Sequence, residues 1–474
     1  MTILPLHPAD NASSPEALQS FLVQCRDAAV RDGRAKLVSI SLAVDALDPL
    51  AVLESIFEPD QPHFYAERPT LESAIAGAEI AVRHETHGAG RFAAVKAWME
   101  EMLVHTIAVG DVAAPFGGPH FFAAFAFHDE VEAGEPFPAA SIFVPRWQVA
   151  LAGRTTTAVA NLLVTPDADL GALARRVWRA HQKFRHMGFM EAPGGEAEPA
   201  PAHTLQRREV GEYRAAVARA LERIGAGEFG KIVLARAQDL TADQPLHPLR
   251  MLNGLRQRFP DCYSFSFSHG RGPSFIGASP ERLVRISKGR LETEALAGSI
   301  RRGVGASEDV ALATALLRSE KDLREHRQVV EDIVARLAPL GVVPETPAAP
   351  QIRRLANVQH LQTPVQAALP AGVHVLEVLA ALHPTPAVGG SPREAAIGSI
   401  RELEGFPRGL YAGALGWLNG RGGGEFFVGI RPALVEGAQA RVYAGAGVVA
   451  GSTPEKEFAE TELKFKAMLD AIVM

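Results

Sequence analysis

Two pairs of carboxylates at helical spacing are the first sign of chemistry in this chain. Asp322 and Glu325 lie three residues apart, as do Glu457 and Glu460, and Lys464 follows Glu460 by four. On a helix such residues share one stripe. One reading is surface salt bridging, for which a glutamate four residues ahead of a lysine is the favoured order. The other is a magnesium site. A hard divalent cation takes oxygen ligands and keeps several waters, so one carboxylate from each of two facing helices plus a substrate carboxylate would suffice.

Acid–base and anion-binding candidates lie elsewhere in the chain. Lys231 opens an apolar stretch whose same-face neighbours, Val233 and Ala235, offer no local counter-charge. It either snorkels into water or points inward, where desolvation would make it a general base near neutral pH. Glu281 follows Ser279-Pro280 between two strand-like segments, as an ordinary turn carboxylate or as a shielded acid. Arg431 closes the apolar run Phe426 to Ile430, and the glycines of Ala444-Gly445-Ala446-Gly447 would let backbone N–H groups approach an anion. Together these suit a substrate carboxylate, or a glycine kink in a curved sheet with an arginine at its edge. The histidines show no zinc spacing, and Gly389-Gly390-Ser391 lacks the lysine of a phosphate loop.

The elements that must hold these residues are legible in the periodicity. Tyr213, Val217, Leu221 and Ile224 predict a helix, ended near Gly225 and Gly227, followed by a strand over Lys231 to Ala237. Tyr263, Phe265 and Phe267 alternate with Ser264, Ser266 and Ser268, which predicts a half-buried strand. Leu283–Ile286 and Arg290–Ala295 read as one antiparallel hairpin, Leu410–Trp417 and Glu425–Arg431 as another, and Tyr443–Val449 as a further strand. One long helix starts at Ser319, whose side chain can cap it, and runs through Leu323, Val330, Ile333 and Leu337. A second has Thr453 as N-cap and Pro454 at its first position, and buries Phe458, Phe465 and Leu469. Hairpins interspersed with helices predict an α+β fold on mostly antiparallel sheets. The N-terminal part shows strand-like Lys36–Ala43 and Ala140–Val144 and a basic helix over Leu173–His186, but no catalytic constellation.

Composition narrows the class. The chain has 474 residues, 47% of them hydrophobic and 22% charged, with 48 basic against 54 acidic side chains for a net charge of −6. These values are those of a globular protein with a large core. No basic block marks a nucleic-acid or membrane partner, so a small molecule is expected. The two cysteines, Cys25 and Cys262, form no pattern, and neither a leader nor an apolar run long enough to span a bilayer is present; a reducing, cytoplasmic location is expected. The sequon at Asn11 is read as chance. A Pro/Gly-rich seam over residues 192–204 separates an N-terminal part, 1–191, from the motif-bearing part, 205–474.

The segments Phe229–Arg236, Ser279–Leu283, Leu296–Ser299, Arg324–Arg327, His383–Val388 and Ser452–Lys464 occur in an order that resembles the chorismate-utilising enzymes, the relatives of anthranilate synthase component I. The resemblance implies two facing, mostly antiparallel sheets flanked by helices, with the active site between them and residues 1–191 completing the sheets. It implies Mg²⁺ held by Glu325 and Glu460, with Asp322 and Glu457 acting through water. It further implies Lys231 as general base, Glu281 as general acid, Tyr411, Arg431, Lys464, Gly445 and Gly447 around the pyruvyl side of chorismate, and Gly298, Ser299 and His360 around the ring. Amine-adding relatives carry glutamine at the base position, so Lys231 implies water as nucleophile; Ala297 stands where the covalent aminodeoxychorismate synthases carry a lysine. Neither cysteine has the setting of a glutamine amidotransferase nucleophile, so no such subunit is expected. Within the family the likeness is to isochorismate synthases, which add water at C2 and expel the C4 hydroxyl. A salicylate synthase, which also eliminates pyruvate, and a non-catalytic chorismate-binding protein are the alternatives, and a monomer is expected.

Overall fold

The computed structural model describes residues 1–3, 14–44, 46–58, 60–187, 203–356 and 358–473. Asn11 and all but the C-terminal end of the Pro/Gly-rich seam lie outside them. Two sheets, of fourteen and nine strands among the described residues, face each other. The larger runs from Thr2–Ile3 at one edge to Leu205–Val210 at the other; His63–Arg68 of the N-terminal part pairs with Tyr263–Ser268 of the C-terminal part near its middle. In the smaller sheet the corresponding seam is Ala414–Asn419 against His120–Phe125. All pairings are antiparallel except those of Thr106–Gly110 with its two neighbours.

The reason for two layers is the aromatic content of the inward faces. Phe64, Phe265, Phe267 and Phe275 of the larger sheet meet Phe122, Phe143, Trp417 and Phe427 of the smaller, with Phe64 and Phe122 stacked at 4.7 Å. Each ring contributes roughly 1.5–3 kcal/mol on burial. Helices cover the outer faces. Pro248–Arg258 and Pro454–Val473 close the larger sheet, while Arg91–Val104, Glu320–Leu337 and Val375–Leu382 pack on the smaller.

This double cover corrects one expectation. The Tyr263–Ser268 strand is buried on both faces, not one, because Ser264, Ser266 and Ser268 lie beneath the outer layer; Ser266 Oγ hydrogen-bonds His63 Nε2 at 2.7 Å. Period-2 alternation marks which side chains are polar, and says nothing of whether a helix lies over them.

The two acidic helices begin where their caps predict. Ser319 Oγ accepts from the Asp322 N–H at the start of Glu320–Leu337, and Thr453 Oγ1 accepts from the Lys456 N–H at the start of Pro454–Val473. The buried stripe of the first is His326, Val329, Ile333 and Leu337, one residue away from the predicted Val330. On the second, Phe465 and Leu469 are buried but Phe458 is only partly so. Its ring instead lies 3.5 Å from the Arg214 guanidinium and 3.7 Å from that of Arg236, a contact that favours cations over an aromatic face. The Ala414–Asn419 and Gly424–Val428 hairpin is shorter than expected: Leu410 precedes it in a turn, and Arg431 lies beyond it at φ 53°, immediately before Pro432. That left-handed backbone, costly for a residue with a Cβ, ends the apolar run and turns Arg431 out of the strand register.

Candidate active site

Opposite ends of the chain's C-terminal part meet in a cavity lined by all fourteen residues singled out from the sequence. Its floor is the pair of strands Lys231–Ala242 and Gln439–Val449, in register Val233 to Gly447 and Ala235 to Gly445. The glycines are required by close approach. A Cβ at Gly445 would sit 2.6 Å from the Tyr411 hydroxyl, and one at Gly447 would sit 3.3 Å from Glu325 Oε1 and from Lys231 Cε. Omitting those side chains lets a phenol, a carboxylate and an amine converge on one patch of backbone.

Lys231 points inward and is almost fully buried. Its strand neighbours offer no counter-charge, but the fold supplies one: Nζ donates to Glu325 Oε1 at 2.6 Å, from a helix 94 residues away in sequence. Burial works against the Glu325 carboxylate, and the Lys231 ammonium outweighs it, holding that carboxyl below its usual range. Glu460 has its own lysine. Lys464 Nζ donates to Glu460 Oε1 and to the Gly445 carbonyl, both at 2.7 Å. The i,i+4 pair legible in the sequence is therefore present, and it lines the cavity. Burial raises the pKa of the neighbouring Glu457, with Glu460 adding to the effect.

Glu281 lies in the tight connection after Ser279-Pro280 and is buried. Burial first, then the charge of Glu294, pushes its pKa up to about 8, against the opposing fields of Lys231, Arg353 and Lys464. Its carboxyl is thus protonated at neutral pH. On the remaining side of the cavity Gly298, at φ 78°, forms a bulge that places Ser299 beside His360. The His360 Nδ1 to Ser299 Oγ distance is 2.7 Å, and Arg431 Nη2 lies 3.3 Å from Nε2. A guanidinium only donates, so Nε2 is the acceptor and Nδ1 carries the proton toward Ser299 Oγ. Burial and the Arg431 charge keep His360 neutral, well below its ordinary pKa. Arg431 is itself buried, and no carboxylate among the described residues pairs with it.

Sequence reasoning missed Lys321, an exposed cation on the rim one turn before Glu325. Its signal was available, since 321 and 325 share a helical stripe. Among the described residues no three acidic, histidine or cysteine side chains are close enough to enclose a metal. The donors present fit Mg²⁺ all the same: they are oxygens only, and that ion needs one or two carboxylates beside water and substrate. Glu325 and Glu460 both lie over the Gln439–Val449 strand, the first at Gly447 and the second, through Lys464, at Gly445.

The family described as chorismate binding enzyme matches residues 20–473. The chain belongs to that family. Relatives include the salicylate biosynthesis isochorismate synthase of Pseudomonas aeruginosa, 38% identical over 442 residues that cover 93% of this chain and 90% of that protein. The isochorismate synthase MenF of Bacillus subtilis is 31% identical over 447 residues, 92% of this chain and 94% of that one. Among solved structures, the menaquinone-specific isochorismate synthase MenF of Escherichia coli superposes with a TM-score of 0.76 over 96% of this chain and all of the other, at 26% identity. Within the chorismate-binding enzymes the chain falls in the isochorismate synthase branch, and it has the same α+β fold of two large sheets flanked by helices.

Proposed function

We propose that this enzyme interconverts chorismate and isochorismate, with Lys231 as general base and Glu281 as general acid. The observation that carries the reading is a buried guanidinium without an anion, Arg431, sharing one cavity with a carboxyl that burial keeps protonated, Glu281. A dicarboxylate substrate supplies the missing anion, and Arg431 and Lys464 bind its pyruvyl carboxylate while Tyr411 and the Gly445–Gly447 backbone lie against that side chain. Ser299 and His360 border the ring. Lys231, held by its hydrogen bond to Glu325, takes a proton from the water that attacks C2. Glu281 delivers its proton to the C4 hydroxyl, which leaves as water while the ring double bonds shift. One site then holds a base and an acid whose environments differ, as acid–base work at a single pH requires.

Glu325 and Glu460 would hold Mg²⁺ directly, with Asp322 and Glu457 through water, and the ion would supply positive charge for the ring carboxylate. We further place the enzyme in the cytoplasm as a monomer without an amidotransferase partner; no helix among the described residues is long and apolar enough to cross a membrane. Chromatography of products from purified protein, chorismate and Mg²⁺ tests the proposal. Isochorismate is expected. Salicylate with pyruvate would assign the activity to a salicylate synthase, anthranilate formed on adding ammonium would overturn water as nucleophile, and no product with tight chorismate binding would leave a non-catalytic protein.

A further inference from the structure

The strand that carries Lys231 has a gap along one edge. Its other edge pairs with Gln439–Val449 throughout. On the open edge Lys231 and Ile232 face Ser391 and Gly390, and the strand from Ala237 onward faces Leu205–Val210, so Val233 to Arg236 have no strand beside them. Unpaired backbone groups in a core are costly, and something must meet them. Gly389 O accepts from the Val233 N–H at 2.8 Å. Two side chains meet two more: Arg408 Nη2 donates to the Val233 carbonyl at 2.7 Å, and Glu404 Oε1 accepts from the Ala235 N–H at 2.6 Å.

These two residues also pair with each other, Arg408 Nη2 to Glu404 Oε1 at 2.6 Å, with side chains 1% and 0% exposed. A buried ion pair is a poor device for stability, since an apolar pair of similar volume often serves as well or better. What an apolar pair would lack is reach. Arg408 Nη1 donates to the Val388 carbonyl at 2.9 Å, its guanidinium lies 4.1 Å from the Phe127 ring centroid, and its own carbonyl accepts from the Tyr411 N–H at 2.9 Å. Val233, Val388 and Tyr411 all line the cavity, whereas Glu404 and Arg408 do not.

We propose that Glu404 and Arg408 are positioning residues for the reaction: they stand in for the missing strand and lock the Lys231 strand, the 384–389 loop and Tyr411 into one geometry. The proposal rests on the assignment of Lys231 and Tyr411 to the reacting centre. Arg408→Lys keeps the charge but not the fork, so it can hold Glu404 or a carbonyl but not all its partners at once. Its expected phenotype is a kcat lower by about 10- to 100-fold with KM within about threefold, the signature of misplacement rather than lost binding. Hydrogen exchange should quicken in 231–236 and 384–389 and not elsewhere. Leu22→Ala, in the separate core under helix Pro15–Asp32, serves as a destabilised control and should retain its kcat. A wild-type kcat in Arg408→Lys, or a loss that follows melting temperature equally in both variants, would overturn the proposal. Should Arg408→Lys fail to fold, Glu404→Gln, which keeps an acceptor for Ala235, must show the same local exchange and kcat loss. If the wild type leaves chorismate unchanged, the assigned activity falls, and the exchange comparison alone still decides whether the pair holds the strand.

Discussion

At the scale of single residues, the proposed mechanism turns on two proton-transfer groups whose surroundings differ. Glu281 is raised to about 8 by burial and the Glu294 charge, so its acid form is present below that pH and is lost as pH rises through it. The rate at saturating Mg²⁺ should therefore fall above about pH 8, by about tenfold per unit. Glu281→Gln should lower turnover by about 10²-fold or more and abolish that limb, measured by following isochorismate across pH; a retained limb would move the acid to another group. Lys231→Gln should cost a similar factor. Near-normal turnover in that variant would remove Lys231 from the mechanism. The identity of both residues was plain in the sequence, but neither environment was. Lys231 has no charged neighbour on its strand and meets Glu325 only because a helix crosses over it.

At the scale of elements, a strand with alternating glycines passes beneath two capped helices, and the site exists where they touch. Gly445→Ala would drive a methyl group into the Tyr411 hydroxyl, 2.6 Å from the Cβ position. Tyr411 is stacked on Tyr443 at 5.1 Å and is slow to yield, so the KM for chorismate should rise about tenfold, equivalent to about 1.4 kcal/mol; an unchanged KM would place the pyruvyl group elsewhere. The helices carry the metal assignment. Chelation should abolish turnover, added Mg²⁺ should restore it, and Mg²⁺ with substrate should raise the melting temperature by mass action. Glu325→Gln should lose that thermal shift, and its persistence would exclude Glu325 as a ligand. Caps, helical stripes and hairpin turns were all legible locally, because each depends on a few neighbouring residues. The end of the hairpin was not: Arg431 leaves the strand at φ 53° ahead of Pro432, a turn that apolar patterning does not encode.

At the scale of the whole molecule, every residue assigned to the site lies beyond position 230, yet each sheet is completed by strands from the first 164 residues. Removing residues 1–191 would bare the Tyr263–Ser268 and Ala414–Asn419 strands as free edges and expose the aromatic layer between the sheets. We expect the fragment 205–474 to be insoluble alone and to be rescued by co-expression with 1–191, read by solubility and turnover; an active, soluble fragment would make the N-terminal part dispensable. The sequence by itself determined the α+β class, the helix starts, the family and the set of side chains able to do chemistry, since these follow from local periodicity and from motifs in order. Only the tertiary structure decided that Lys231 has a counter-ion, that the Glu460–Lys464 pair faces a cavity, that the serine face of a strand is covered, and that Glu404 and Arg408 fill a gap in a sheet. Those include contacts between residues up to 203 positions apart, whose energies depend on burial and distance, and neither quantity exists until the chain has folded.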